Sequence, residues 1–161
     1  MPPAPILLPA EAGLPALVEA LAGLPRKGGV VGLAPALEME ALRQALGEGP
    51  PGWEVEGPAV VVGSGGSGGG RRWCVQPLAR LEASAAATGE WLRGLGIEPS
   101  AALVVNPLPW HHVSGLMPWL RARQWGAEHC GLAPARLRRP EELAAAWPVR
   151  GRPALLSLVP T

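Results

Sequence analysis

The chain predicts an α/β fold, a mostly parallel sheet flanked by helices, and three observations carry that expectation. Short apolar runs recur at 29–33, 59–62, 101–106 and 154–159, the pattern of strands buried on both faces. The stretches between them carry apolar residues at intervals of three and four, the period of a helix that buries one side. With 161 residues, 48% of them hydrophobic, the chain is long enough for one domain with a real core.

The elements follow in order. Leu14, Leu17, Val18, Leu21 and Leu24 predict a helix over 10–24, and Gly29 to Leu33 a short buried strand. A second helix is expected over 37–46, stopped by Gly47 and the Gly49-Pro50-Pro51 break. Ala59 to Val62 reads as strand, and Trp73 to Gln76 as strand again across a glycine loop. Pro77 opens a longer helix to about Leu95, ended by Gly94 and Gly96. Strand over 101–106 precedes a helix over 114–125 with Pro118 near its start. Pro140 stands at the first position of an expected helix over 141–147, and 154–159 is the last strand.

Composition narrows the function classes. There is no Phe and no Tyr, so Leu, Val, Ala and seven Trp must fill the core. With 22 Gly and 20 Pro, loops must be numerous. A net charge of +1 lacks the basic face that nucleic-acid binding requires, and Arg136-Leu137-Arg138-Arg139 is followed at once by Glu141 and Glu142. Cys74 and Cys130 stand far apart, the usage of reduced thiols in a cytoplasmic protein. No apolar run reaches the ~18 residues of a membrane span, and Met1-Pro2-Pro3-Ala4-Pro5 lacks the basic start of a signal peptide.

The segment Gly63-Ser64-Gly65-Gly66-Ser67-Gly68-Gly69-Gly70-Arg71-Arg72 has the chemistry of a phosphate cradle. Glycines let backbone N–H groups turn toward an anion, serines add donors, and arginine adds a planar cationic fork. The same letters also make a flexible linker, and composition alone leaves both readings open. No Lys-Ser or Lys-Thr pair follows, so the P-loop pattern is absent. The letters fit G-x-G-x-x-G, but about 20 residues on, where a ribose-binding acid would stand, are Ala85, Ala86 and Ala87.

A second candidate is Leu108-Pro109-Trp110-His111-His112-Val113-Ser114-Gly115-Leu116, which follows an apolar strand. Ligands of α/β sheets gather at carboxyl ends of strands, so a His-His-x-Ser-Gly turn there is well placed for chemistry. The alternative is a turn whose Ser114 caps the next helix and whose histidines are structural. His129 and Cys130 lack the spacing of a zinc site, and no G-x-S-x-G elbow marks a hydrolase.

Taken in order, the glycine segment, Val75-Gln76-Pro77, Ala83-Ser84-Ala85, Leu108-Pro109-x-x-His112-Val113-Ser114-Gly115-Leu116 and Leu156-Ser157-Leu158-Val159-Pro160-Thr161 resemble the adenylate-forming acyl-CoA synthetase superfamily. Within it the likeness is to the o-succinylbenzoate–CoA ligases of menaquinone and phylloquinone synthesis. That family carries T-S-G-[ST]-T-G-x-P-K, then Q-T, N-H-x-x-S-A, L-P-x-x-H-[IV]-S-G-L and S-L-V-P-T. The resemblance covers 59–161. It implies a shortened amino-terminal α/β region over 1–57 and a phosphate-loop and acyl-pocket subdomain over 58–161.

The resemblance further implies that Ser64, Gly65, Gly66, Ser67, Gly68 and Gly69 close on ATP phosphates, with Arg72 at the position of the loop's lysine. His112, as the catalytic residue, with Ser114 and Gly115, would line the pocket where acyl substrate and nucleotide meet. ATP, Mg²⁺ and coenzyme A are the implied cofactors, and a small-molecule carboxylic acid the implied substrate. The departures are specific. Gly68 stands for the loop's second threonine, Arg71 for its proline and Arg72 for its lysine, and Leu81 replaces the histidine of N-H. The family's Y-G-x-T-E segment, ribose-binding aspartate, hinge and carboxy-terminal lysine would follow Thr161, so residues 1–161 alone are expected to be inactive. The uncovered sheet edge near Leu155–Val159 leads one to expect a homo-oligomer.

Overall fold

The computed structural model describes residues 3–47, 56–64, 72–139, 141 and 151–158. These fold as two compact α/β units, each with its own sheet, rather than around the one sheet expected. The first comprises 1–81 with 110–112, and the second 82–109 with 113–161. The boundary drawn at 57/58 on sequence falls inside the first.

In the first unit β1 (Ile6–Pro9) leads through a 3-10 turn (Ala10–Ala12) into α1 (Gly13–Ala22). Then come β2 (Val30–Ala34), a second 3-10 turn (Ala36–Glu38) and α2 (Met39–Gly47). β3 (Ala59–Ser64) and β4 (Arg72–Pro77) complete a sheet of order β1-β2-β3-β4. The first three strands are parallel, with Val31 opposite both Ile6 and Val60. β4 runs antiparallel to β3, with Val62 opposite Cys74 and Ser64 opposite Arg72.

Residues Ala59–Val62 are buried, as a strand covered on both faces requires. Ala34, Leu42 and Val61 form the centre of one packed cluster, closed by Leu7, Val30, Met39, Leu46, Trp73 and Val75. Val18, read on sequence as part of the buried stripe of α1, faces solvent; Leu17 and Leu21 carry the burial.

The pairing of β3 with β4 bears on the glycine-rich segment. Its two flanks are hydrogen-bonded neighbours in one sheet, which a tether between independent bodies does not produce. Residues 65–71 connect the strands of a hairpin, and they lie outside the described residues.

The chain passes into the second unit within α3 (Leu78–Gly94). A 3-10 turn (Pro99–Ala101) precedes β5 (Leu103–Asn106), α4 (Val113–Trp125), β6 (Glu128–Gly131), another 3-10 segment (Pro134–Arg138) and β7 (Ala154–Leu156). Its sheet has the order β6-β5-β7, all parallel, with Val104 between His129 and Leu155. The helix expected over 141–147 lies outside the described residues apart from Glu141.

Two helix ends build this unit's core. Gly96 and Gly126 adopt positive φ of 76° and 68°, which glycine enters without steric cost. After each, the chain doubles back. Ile97 N–H donates to Leu92 O at 3.0 Å, and Ala127 N–H to Ala122 O at 2.9 Å. These are the long bonds of the Schellman motif, in which the residue past the glycine meets one in the last turn. Leu92, Ala122, Ile97 and Ala127 accordingly share one cluster with Val104, Trp125 and Leu155. The Trp125 indole N–H is satisfied by Ala85 O of α3 at 2.9 Å.

Candidate functional site

The expected phosphate segment begins at the carboxyl end of β3. Ser64 and Arg72 stand opposite one another as the last described pair before the connection, so the hairpin holds the first hydroxyl and the cation of the predicted site across one rung. The Ser64 hydroxyl donates to Arg72 O at 3.1 Å. Its proton therefore closes the hairpin, and its oxygen keeps lone pairs that can only accept. Arg72 is exposed, the first described residue after the connection. Gly65, Gly66, Ser67, Gly68 and Gly69 lie outside the described residues.

His112 reaches the same strand end. Its Nδ1 lies 3.2 Å from the carbonyl oxygen of Gly63, the residue before Ser64, across 49 positions of sequence. A carbonyl only accepts, so Nδ1 carries the proton and donates. The His111 ring packs beside it at 4.4 Å between centroids, tilted by 47°. Both histidines are half-buried, and with Trp110 they belong to the first unit. His112, Gly63, Ser64 and Arg72 are thus brought together by pairing and by one side-chain hydrogen bond.

Ser114 and Gly115 belong to the second unit, and their environment is different. α4 already begins at Val113, so Ser114 is a residue of the first turn and not the cap that the alternative reading made it. Pro118, with no N–H, leaves the Ser114 carbonyl without its usual helical partner. Gly115 is buried at a close approach of two backbones: a Cβ there would meet Pro109 O at 2.2 Å. Only a residue without a side chain fits, so Gly115 acts through shape.

The residue that sequence reasoning passed over is Asn106, the buried polar side chain of the described core. Its Nδ2 donates to Gly115 O at 2.8 Å, and its Oδ1 accepts from Leu108 N–H at 3.1 Å. One amide thus pins both ends of the β5–α4 connection. Strand order reverses at β5, so the crevice before its carboxyl end is where open α/β sheets hold ligands. Asn106 stands there with both polar atoms engaged in holding the turn. The signal was legible: a single amide closing the apolar run Leu103-Val104-Val105, followed by Pro107.

Among the described residues of the second unit, two groups carry perturbed titration. Burial pushes the His129 imidazole below its ordinary value and lowers the Arg121 guanidinium. His129 Nε2 and Arg121 Nε have no hydrogen-bond partner among the described residues. His129 does not gather other ligands, for among the described residues no three His, Cys, Asp or Glu side chains are placed to hold a metal ion. Cys74 and Cys130 are both free thiols. No described helix is long and apolar enough to cross a membrane. No protein-family model, curated protein or solved structure matches this chain.

Proposed function

We propose that this chain carries the phosphate-binding hairpin and the pocket histidine, where acyl substrate and nucleotide meet, of an ATP-dependent acid–CoA ligase, of the o-succinylbenzoate–CoA ligase kind. One observation carries the reading: the His112–Gly63 hydrogen bond brings the L-P-x-x-H step to the foot of the glycine segment, although 49 residues separate them. Two motifs that a linker or a structural turn would leave unrelated share one strand end. The β3–β4 pairing adds Arg72 to the same end, where the resemblance puts the loop's cation.

In this reading a small-molecule carboxylate attacks the α-phosphate of ATP, pyrophosphate leaves, and the thiol of coenzyme A then displaces AMP. Backbone N–H groups of the glycine segment and the Arg72 guanidinium meet the phosphate oxygens. His112, held by Gly63, lines the place where acyl substrate and nucleotide meet. Magnesium would arrive bound to the nucleotide's phosphates and supply charge neutralisation there.

The direct test is binding of Mg·ATP by calorimetry to the natural chain and to Arg72→Ala. The natural chain should bind, and loss of an exposed guanidinium–phosphate pair should weaken it about tenfold. Equal affinity of the two proteins, or no binding by either, would sink this reading.

A further inference from the structure

We infer that His112 is a two-edged positioning residue, whose Nδ1 edge locks onto β3 and whose Nε2 edge is the atom offered to a bound ligand. The inference rests on the reading just given and specifies which atom of that site does what. Three observations lead to it. Nδ1 donates to Gly63 O, and Gly63 is buried while the His112 ring is only half-buried. The two ring nitrogens lie on opposite edges, so an Nδ1 turned onto the strand leaves Nε2 turned away from it. The His112 residue is half-buried, so the edge turned away from the strand is not sealed into the core.

The consequence is chemical as well as geometric. With Nδ1–H engaged by a carbonyl, the neutral ring presents a lone pair at Nε2. Toward a hydroxyl, amide or thiol it accepts. Toward a phosphate or carboxylate oxygen it can donate only after taking up a proton. The Gly63 carbonyl thereby sets both the direction of the ring and the character of its free edge, as the orienting partner of a working histidine does.

Asparagine separates the two edges, because its side-chain N–H₂ falls near Nδ1 and nothing replaces Nε2. His112→Asn should unfold in urea at the same midpoint as the natural chain while binding Mg·ATP about tenfold more weakly. His112→Ala should lose both properties. Imidazole ¹⁵N spectra of the natural chain should show a protonated Nδ1 and an unprotonated Nε2, and Mg·ATP should move the Nε2 resonance.

Overturning results are equally concrete. They are an Nε2–H tautomer in the free protein, a His112→Asn variant as unstable as His112→Ala, or one binding Mg·ATP like the natural chain. Binding by the natural chain with an unmoved Nε2 resonance overturns this inference and leaves the ligase reading standing. No Mg·ATP binding by the natural chain overturns the ligase reading and, with it, the ligand-facing role of Nε2.

Discussion

In the first unit strand order follows the chain, β1-β2-β3-β4, and the carboxyl end of β3 runs into a glycine-rich hairpin. In the second, the earliest strand, β5, is central and later strands add on either side of it. Both strand ends carry polar residues, but they use them differently. Asn106, at the end of β5, is buried and spends both polar atoms on its own turn. At the end of β3 the polar groups are half-buried or exposed, and each is only partly engaged: Ser64 through its proton, His112 through one nitrogen. The contrast follows from solvation. A buried polar group must be satisfied within the fold, whereas one near water can keep a donor or acceptor for a ligand. Fold-level logic alone would favour the crevice at β5, yet the residues free to act stand at β3.

That comparison breaks first at Gly115. Placing a methyl 2.2 Å from Pro109 O forces backbone apart, so Gly115→Ala should destabilise by about 3–4 kcal/mol, the upper range of overpacking. Denaturant unfolding followed by tryptophan fluorescence measures it. A change below about 1 kcal/mol would mean that the neck of the turn is not closed as described.

Asn106→Leu leaves Gly115 O and Leu108 N–H buried without partners, and should cost about 2–3 kcal/mol. The same variant should leave Mg·ATP affinity at a residual folded population unchanged, since both polar atoms of the amide are engaged within the turn. Lost affinity with intact stability would reverse the assignment of structure to β5 and binding to β3.

A smaller effect concerns His129. Burial holds its folded-state value below the unfolded one, so between the two the unfolded chain binds more protons. The stability involved is complete above about 6.5, declines as pH falls through that value, and levels off once the folded ring is protonated too. Unfolding free energies measured between neutral and mildly acid pH should therefore slope downward toward acid, and His129→Gln should flatten the slope. An unchanged slope would remove His129 from the acid response.

The least effect is expected at Ser64. Ser64→Ala removes one partly solvated hydroxyl bond to Arg72 O and should cost about 0.5 kcal/mol. A loss several times larger would show that the hairpin neck is held as tightly as the β5 turn.

The sequence announced most plainly the strands made of continuous apolar runs and the helices with a periodic apolar side. β2, β3 and β5 are inner strands, β2 and β3 beside parallel neighbours and β5 between two of them, and their Val-rich runs say so. The two strands it did not announce, β1 and β6, are both at sheet edges. Ile6–Pro9 is bracketed by prolines, which an edge tolerates because one side needs no ladder donor. Glu128-His129-Cys130-Gly131 carries no apolar run at all, and pairing with β5 alone makes it a strand.

Local pattern therefore determined the α/β class, the order of the elements other than β1 and β6, and the glycine-rich connection, because periodicity and turn chemistry act within a few residues. Only the tertiary structure decided that there are two sheets, that Asn106 and Gly115 lock a turn, and that His112 meets Gly63. The reason is range: a hydrogen bond across 49 positions, or a backbone contact that forbids a single methyl, leaves no periodic trace in the chain that makes it.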